Sequence, residues 1–161
     1  MVGVSDSFSM GGLDFMVMDY VPGETLTQAW LRLGKRIPLN QVLTWAQALC
    51  RVLEYLHKQS PPMIFRDLKP DNIIVQPNGR LKIIDFGIVR HFKPGKTRDT
   101  RALGTPGYTA PEQYGQQQTD ARADIFSLAA VLYQLLTGYD PTSTPMHFPP
   151  CCRSRRSCPH T

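Results

Sequence analysis

Asp67, Lys69 and Asn72 lie close together in the stretch Met63-Ile64-Phe65-Arg66-Asp67-Leu68-Lys69-Pro70-Asp71-Asn72-Ile73-Ile74-Val75. These types at this spacing suit phosphoryl transfer. A carboxylate such as Asp67 can accept the proton of an attacking hydroxyl. An ammonium such as Lys69 can neutralise the transferring phosphoryl group. The amide oxygen of Asn72 can ligate a hard cation. After Asn72 the chain returns to three apolar residues.

A second oxygen donor follows the first. Ile73–Val75 reads as a strand, and Asn78-Gly79 as a two-residue hairpin turn, since both residues tolerate positive φ. The return strand Leu81–Ile84 then delivers Asp85-Phe86-Gly87. An Asp-Phe-Gly triplet alone arises often by chance. The hairpin gives it weight, because it predicts Asp85 beside Asn72. Two oxygen donors on adjacent strands make a site for Mg²⁺.

The elements that must position these groups can be read from period and punctuation. Residues 4–8 and 14–18 read as strands around a Gly11-Gly12 turn. A short helix is predicted over 25–34, with Thr25 as N-cap, Gly34 as stop, and Leu26, Ala29, Trp30 and Leu33 on one face. A longer helix is predicted over about 39–58. Val42, Trp45, Ala46, Leu49, Val52, Leu53 and Leu56 form its core stripe, and Pro61-Pro62 ends it. Cys50 within it is expected to be a buried, reduced core residue. Residues 88–103 are polar and basic and read as a loop. Asp124 opens a helix to about Thr137 that is apolar on most faces and so should be buried. Asp124 could cap that helix.

Composition narrows the class. A chain of 161 residues with 42% apolar content fits one domain with a real core. The net charge is +5, of which Arg153, Arg155 and Arg156 supply three. The remainder is too near neutral to suggest nucleic-acid binding. No basic segment followed by an apolar run marks a signal peptide. The apolar stretch Ile125–Leu136 is too short to span a bilayer, which takes ~20 residues. The expectation is a cytoplasmic protein with no membrane segment. Residues 141–161 are rich in Pro, Cys and Arg without periodicity, and read as a disordered tail. No Cys-x₂-Cys pair supports a zinc site there.

The stretch around Asp67 resembles the catalytic loop of protein kinases, and its Leu-Lys-Pro-x-Asn form is similar to the Ser/Thr branch. Phe65 stands where that family usually has His, and would keep the apolar column under Phe86. The resemblance implies an α+β, protein-kinase-like fold: mainly the helical C-lobe with a few residual N-lobe strands. Residues 1–18 would be those strands, 19–24 the hinge, and 25–140 a partial C-lobe. It implies ATP and Mg²⁺ as cofactors and the Ser or Thr hydroxyls of proteins as acceptors.

By the same resemblance, Asp67 and Lys69 would be catalytic, and Asn72 and Asp85 would hold Mg²⁺. Met18 would be the gatekeeper, backbone groups of Asp19 and Val21 would meet the adenine edge, and Ile74 would floor that site. Gly104, Thr105, Pro111 and Glu112 would dock the substrate, with Thr105 bonding toward Asp67 and Lys69. Arg66 would face a phosphorylated Thr97 or Thr100. Asp124 would anchor the backbone of the catalytic loop.

The sequence has no Gly-x-Gly-x-x-Gly, and its first lysine is Lys35. The expectation is therefore a kinase domain truncated at both ends. A non-catalytic, pseudokinase-like module is the alternative.

Overall fold

The computed structural model describes residues 3–84, 90–91, 104–114 and 119–150. Strands β1 (Val4–Met10) and β2 (Leu13–Met18) form an antiparallel hairpin. Its turn is Gly11-Gly12, with φ of 61° and 78°, a conformation that glycine adopts without steric cost. Register pairs Phe8 with Phe15 and Met10 with Leu13. The two phenyl rings stack at 5.2 Å, and these four side chains are all exposed. The hairpin thus carries an apolar face that the rest of the described chain does not cover.

The chain then enters a compact body. β3 (Glu24–Thr25) pairs with β5 (Ile73–Val75), which pairs with β6 (Leu81–Ile83), giving a three-stranded antiparallel sheet in the order β3-β5-β6. Helix α1 (Leu26–Arg32) starts on a capping box. Thr25 Oγ1 accepts from Gln28 N, and Gln28 Oε1 accepts from Thr25 N. Helix α2 (Leu39–His57) buries Val42, Trp45, Leu49, Leu53 and Leu56 along one stripe. It packs on α4 (Ala121–Thr137), whose buried side includes Leu128, Val131 and Leu135. Strand β4 (Met63–Ile64) pairs with β7 (Arg90–His91) and leads into the loop around Asp67. A single 3₁₀ turn, Pro70–Asn72, joins that loop to β5. The short helix α3 (Pro111–Tyr114) precedes α4.

Several expectations need correction. Cys50 is exposed. It lies about 100° around α2 from Leu49, on the flank shared with exposed Leu43. The turn between β5 and β6 is not a two-residue turn with both residues at positive φ. Gly79 N donates to Gln76 O at 2.8 Å, with Pro77 second in the turn, and only Gly79 has positive φ.

Helix α4 is less buried than its composition suggests, since Ile125 and Leu136 are half exposed. Its N-cap is Asp120, whose side chain accepts from Arg122 N. Asp124 sits one turn inside and serves a different purpose. Residues 141–150 are not a detached tail. Phe148 packs edge-on against Phe126 and Tyr133, and the Tyr133 hydroxyl donates to Pro149 O. Residues 151–161 lie outside the described residues. No described helix is long and apolar enough to cross a membrane.

Candidate active site

The loop after β4 alternates anchors and working groups. Phe65, Leu68 and Ile73 are fully buried in the core made by α2 and α4. Burial of large apolar side chains contributes roughly 1.5–3 kcal/mol each. They fix the backbone between them, and Asp67, Lys69 and Asn72 are what that backbone presents.

Those three side chains meet. The Lys69 ammonium lies 3.0 Å from Asp67 Oδ2. Asn72 Nδ2 donates to Asp67 O at 2.9 Å and to Asp67 Oδ2 at 3.1 Å. Thr105 joins them from 38 residues away in the sequence. Its hydroxyl donates to Asp67 Oδ1 at 3.1 Å and accepts from Lys69 Nζ at 2.9 Å. The Asp67 carboxylate is thus held by three donors, and both it and Lys69 keep some contact with solvent.

Thr105 is placed by a tight turn. Thr109 N and Oγ1 both donate to Thr105 O. Gly104 precedes it at φ 133°, where a Cβ would stand 2.3 Å from Thr109 Oγ1. Only glycine fits there. The turn is tied down by Tyr108, whose hydroxyl donates to Gln134 Oε1 at 2.5 Å and whose carbonyl accepts from Ser127 Oγ. Burial pushes the Tyr108 phenol well above its usual range, so it remains a neutral donor.

Arg66 has φ 73°, unusual for a residue with a side chain, and is buried. Its N–H donates to Asp124 Oδ1 at 2.8 Å, and Phe65 N donates to Asp124 Oδ2 at 2.9 Å. On the other side, Gln113 Nε2 donates to Arg66 O at 3.0 Å. Asp124 is fully buried and ties the Phe65–Arg66 backbone directly to α4.

Asn72 turns its amide nitrogen to Asp67, which aims its oxygen elsewhere. Ile84 N donates to Asn72 O, so the strand leading to Asp85 runs beside Asn72. Asp85 and Phe86 lie outside the described residues, as do Thr97 and Thr100. Among the described residues, no three His, Cys, Asp or Glu side chains cluster to hold a metal.

The remaining predicted residues are more dispersed. Met18 and Asp19 are exposed at the end of β2, and Asp19 N donates to Gly3 O. Val21 is half-buried. Ile74 is buried in β5 opposite Thr25 and Lys82. Pro111 and Glu112 open α3, and Glu112 acts electrostatically on Arg122. Sequence reasoning missed Gln113 and His57. Gln113 falls beside a motif residue and carries no signal of its own. The ring of His57 lies 2.7 Å from Asp124, a contact spanning 67 residues.

The chain belongs to the family described as "Protein kinase domain", whose match runs over residues 1–148. The curated proteins it is similar to include a cAMP-dependent protein kinase and several serine/threonine-protein kinases. It is 40% identical over 127 residues to cAMP-dependent protein kinase type 3 of Saccharomyces cerevisiae, covering 79% of this chain and 30% of that protein. It is 36% identical over 135 residues to serine/threonine-protein kinase PknB of Mycobacterium leprae, covering 83% and 21%. PknB of Mycolicibacterium smegmatis is 37% identical over 134 residues, covering 81% and 21%. The chain spans less than a third of the length of these relatives.

Proposed function

We propose that this chain carries the catalytic half of a Ser/Thr protein kinase site, transferring the γ-phosphoryl group of ATP to protein Ser or Thr hydroxyls. The observation that carries the reading is the Asp67–Thr105–Lys69 arrangement, in which one hydroxyl bridges a carboxylate and an ammonium. The substrate hydroxyl donates its proton to Asp67 as its oxygen attacks the γ-phosphorus. The new O–P bond forms as the bond to the β-phosphate oxygen breaks, and ADP leaves. Lys69 offsets the negative charge on the phosphoryl oxygens during transfer. Asn72 and Asp85 would hold Mg²⁺, which supplies further charge neutralisation when bound. Asp19, Val21 and Ile74 would receive the adenine, with residues 19–24 as the hinge. Gly104, Thr105, Pro111 and Glu112 would seat the acceptor segment. A phosphate on Thr97 or Thr100 would pair with Arg66.

The test is transfer of radiolabel from γ-labelled ATP to a Ser- and Thr-containing peptide pool, with and without Mg²⁺. Mg²⁺-dependent labelling that EDTA removes is the expected result. No thermal shift at millimolar Mg-ATP and no labelling above blank would instead support a non-catalytic, pseudokinase-like module.

Thr105→Val checks the bridge itself. It removes both bonds of the hydroxyl and keeps the shape. Hydrogen bonds to charged groups contribute about 1.5–3 kcal/mol, so transfer should slow roughly 10- to 100-fold. The melting temperature should move little, because the site is partly solvated. An unchanged rate would show that the bridge has no part in transfer.

A further inference from the structure

Gln113 is buried, and its side-chain amide reaches in two directions. Oε1 accepts from Ala110 N at 3.2 Å, and Nε2 donates to Arg66 O at 3.0 Å. The first bond, together with Gln113 N donating to Ala110 O, closes residues 110–113 on themselves. The second crosses to the loop around Asp67, 47 residues earlier. The Arg66 carbonyl and the Asp67 N–H belong to one planar peptide unit. A bond to that carbonyl therefore sets the plane from which the Asp67 Cα departs. The peptide plane on the other side of the Arg66 Cα is held by Asp124, through Arg66 N. Holding both planes fixes φ and ψ of Arg66, whose φ of 73° persists only when its surroundings impose it.

The two segments meet at a second place, where the Thr105 hydroxyl bridges Asp67 and Lys69. Thr105 is carried by the turn that Thr109 closes, and Ala110 is the next residue. The bond from Gln113 therefore lies just beyond the turn that presents Thr105. A single tie between two stretches of chain leaves a pivot. Two ties on either side of a closed turn fix how residues 104–114 lie against the loop.

We propose that Gln113 is a positioning residue for phosphoryl transfer: it clasps the acceptor-seating segment to the loop that carries Asp67, and so sets the acceptor hydroxyl against Asp67. The inference rests on the kinase reading for its catalytic consequence, but its structural consequence can be measured alone. Gln113→Met keeps the length of the side chain and removes both of these bonds. Amide hydrogen exchange is read on the full chain at Phe65, Arg66, Tyr108, Thr109 and Ala110, with Leu49 and Leu53 of α2 as internal reference. Ala110 loses its own acceptor and accelerates in any case. The clasp predicts more: Phe65, Arg66, Tyr108 and Thr109 should each exchange roughly 10-fold faster while α2 is unchanged. In a kinase assay the same variant should lose roughly 10-fold in kcat, with KM for ATP within about twofold of the parent. Added to Thr105→Val, it should slow transfer by no more than about threefold further, because both ties serve one alignment.

Acceleration at Ala110 alone overturns the proposal. So does acceleration shared equally by α2, which would mean general destabilisation, and so does a kcat that stays at the parent value or losses that simply multiply in the double variant. The parent chain supplies a measurement that needs no variant to fold. Its Arg66 and Thr109 amides should open as one unit, with protection equal to within about tenfold, and a wider gap overturns the clasp. Selective acceleration of both segments in a chain that transfers no phosphate supports the clasp and counts against the kinase reading instead.

Discussion

Asp67→Asn is expected to remove phosphoryl transfer while leaving the fold in place. The substitution keeps the volume and one oxygen, and takes away the group that accepts the proton. A positioned general base contributes roughly 10²–10⁴-fold. The loss should appear in kcat, because in the proposed site Asp67 would meet the acceptor hydroxyl and not the nucleotide. The surroundings predict little structural damage. Asp67 keeps some solvent contact, and Lys69 still has Thr105 Oγ1 as a partner. An amide at position 67 can also accept from Asn72 Nδ2 or Thr105 Oγ1, whichever faces its oxygen. Melting temperature and Mg-ATP affinity should therefore match the parent chain. Steady-state kinetics on the two proteins, purified side by side, decides the matter. Equal rates would mean that labelling comes from another enzyme in the preparation or from a different base.

The loop around Asp67 was readable because its polar groups are neighbours in sequence. Asp67, Lys69 and Asn72 lie within six residues, and apolar residues on both sides announce the anchors. The helical stripe of α2 was equally plain, since Val42, Leu49 and Leu56 recur every seven residues and land on one face. What the sequence hid falls into two kinds. The first is contact between distant segments. His57 falls at the end of a helical stripe, and nothing local points to Asp124. Gln113 likewise gains its meaning only when α3 comes up against Arg66 O.

The second kind is irregular chain that still packs. Residues 141–150 have no period, so pattern reading leaves them as coil, yet Phe148 finds Phe126 and Tyr133. Cys50 shows the limit of reading side chains by type. Cysteine is a common core residue, but its place on the helix circumference, and not its chemistry, put it in solvent.

Asp124→Ala should unfold the chain far more readily than any change among the working groups. Asp124 is fully buried and accepts from Phe65 N, Arg66 N and His57 Nε2. Alanine leaves two amides and a ring nitrogen without their acceptor. Each buried donor left unmade costs about 1–3 kcal/mol. The space also loses a side chain, and the positive φ of Arg66 loses its support. Together these predict a loss of about 3–5 kcal/mol, the range found when a buried charged partner is deleted. Against a total stability of roughly 5–15 kcal/mol this is a large share. For a chain of this size it corresponds to a fall in melting temperature of roughly 6–20 °C.

Asp124→Asn separates the contributions. Asn keeps one acceptor oxygen but presents an amide nitrogen to the remaining donors, so it should fall between the parent and Ala. Thermal unfolding of the three proteins measures the series. A shift under about 2 °C in the Ala variant would mean that the loop finds other acceptors. Asp124 would then be an incidental buried acid and not the pin that joins the loop around Asp67 to α4.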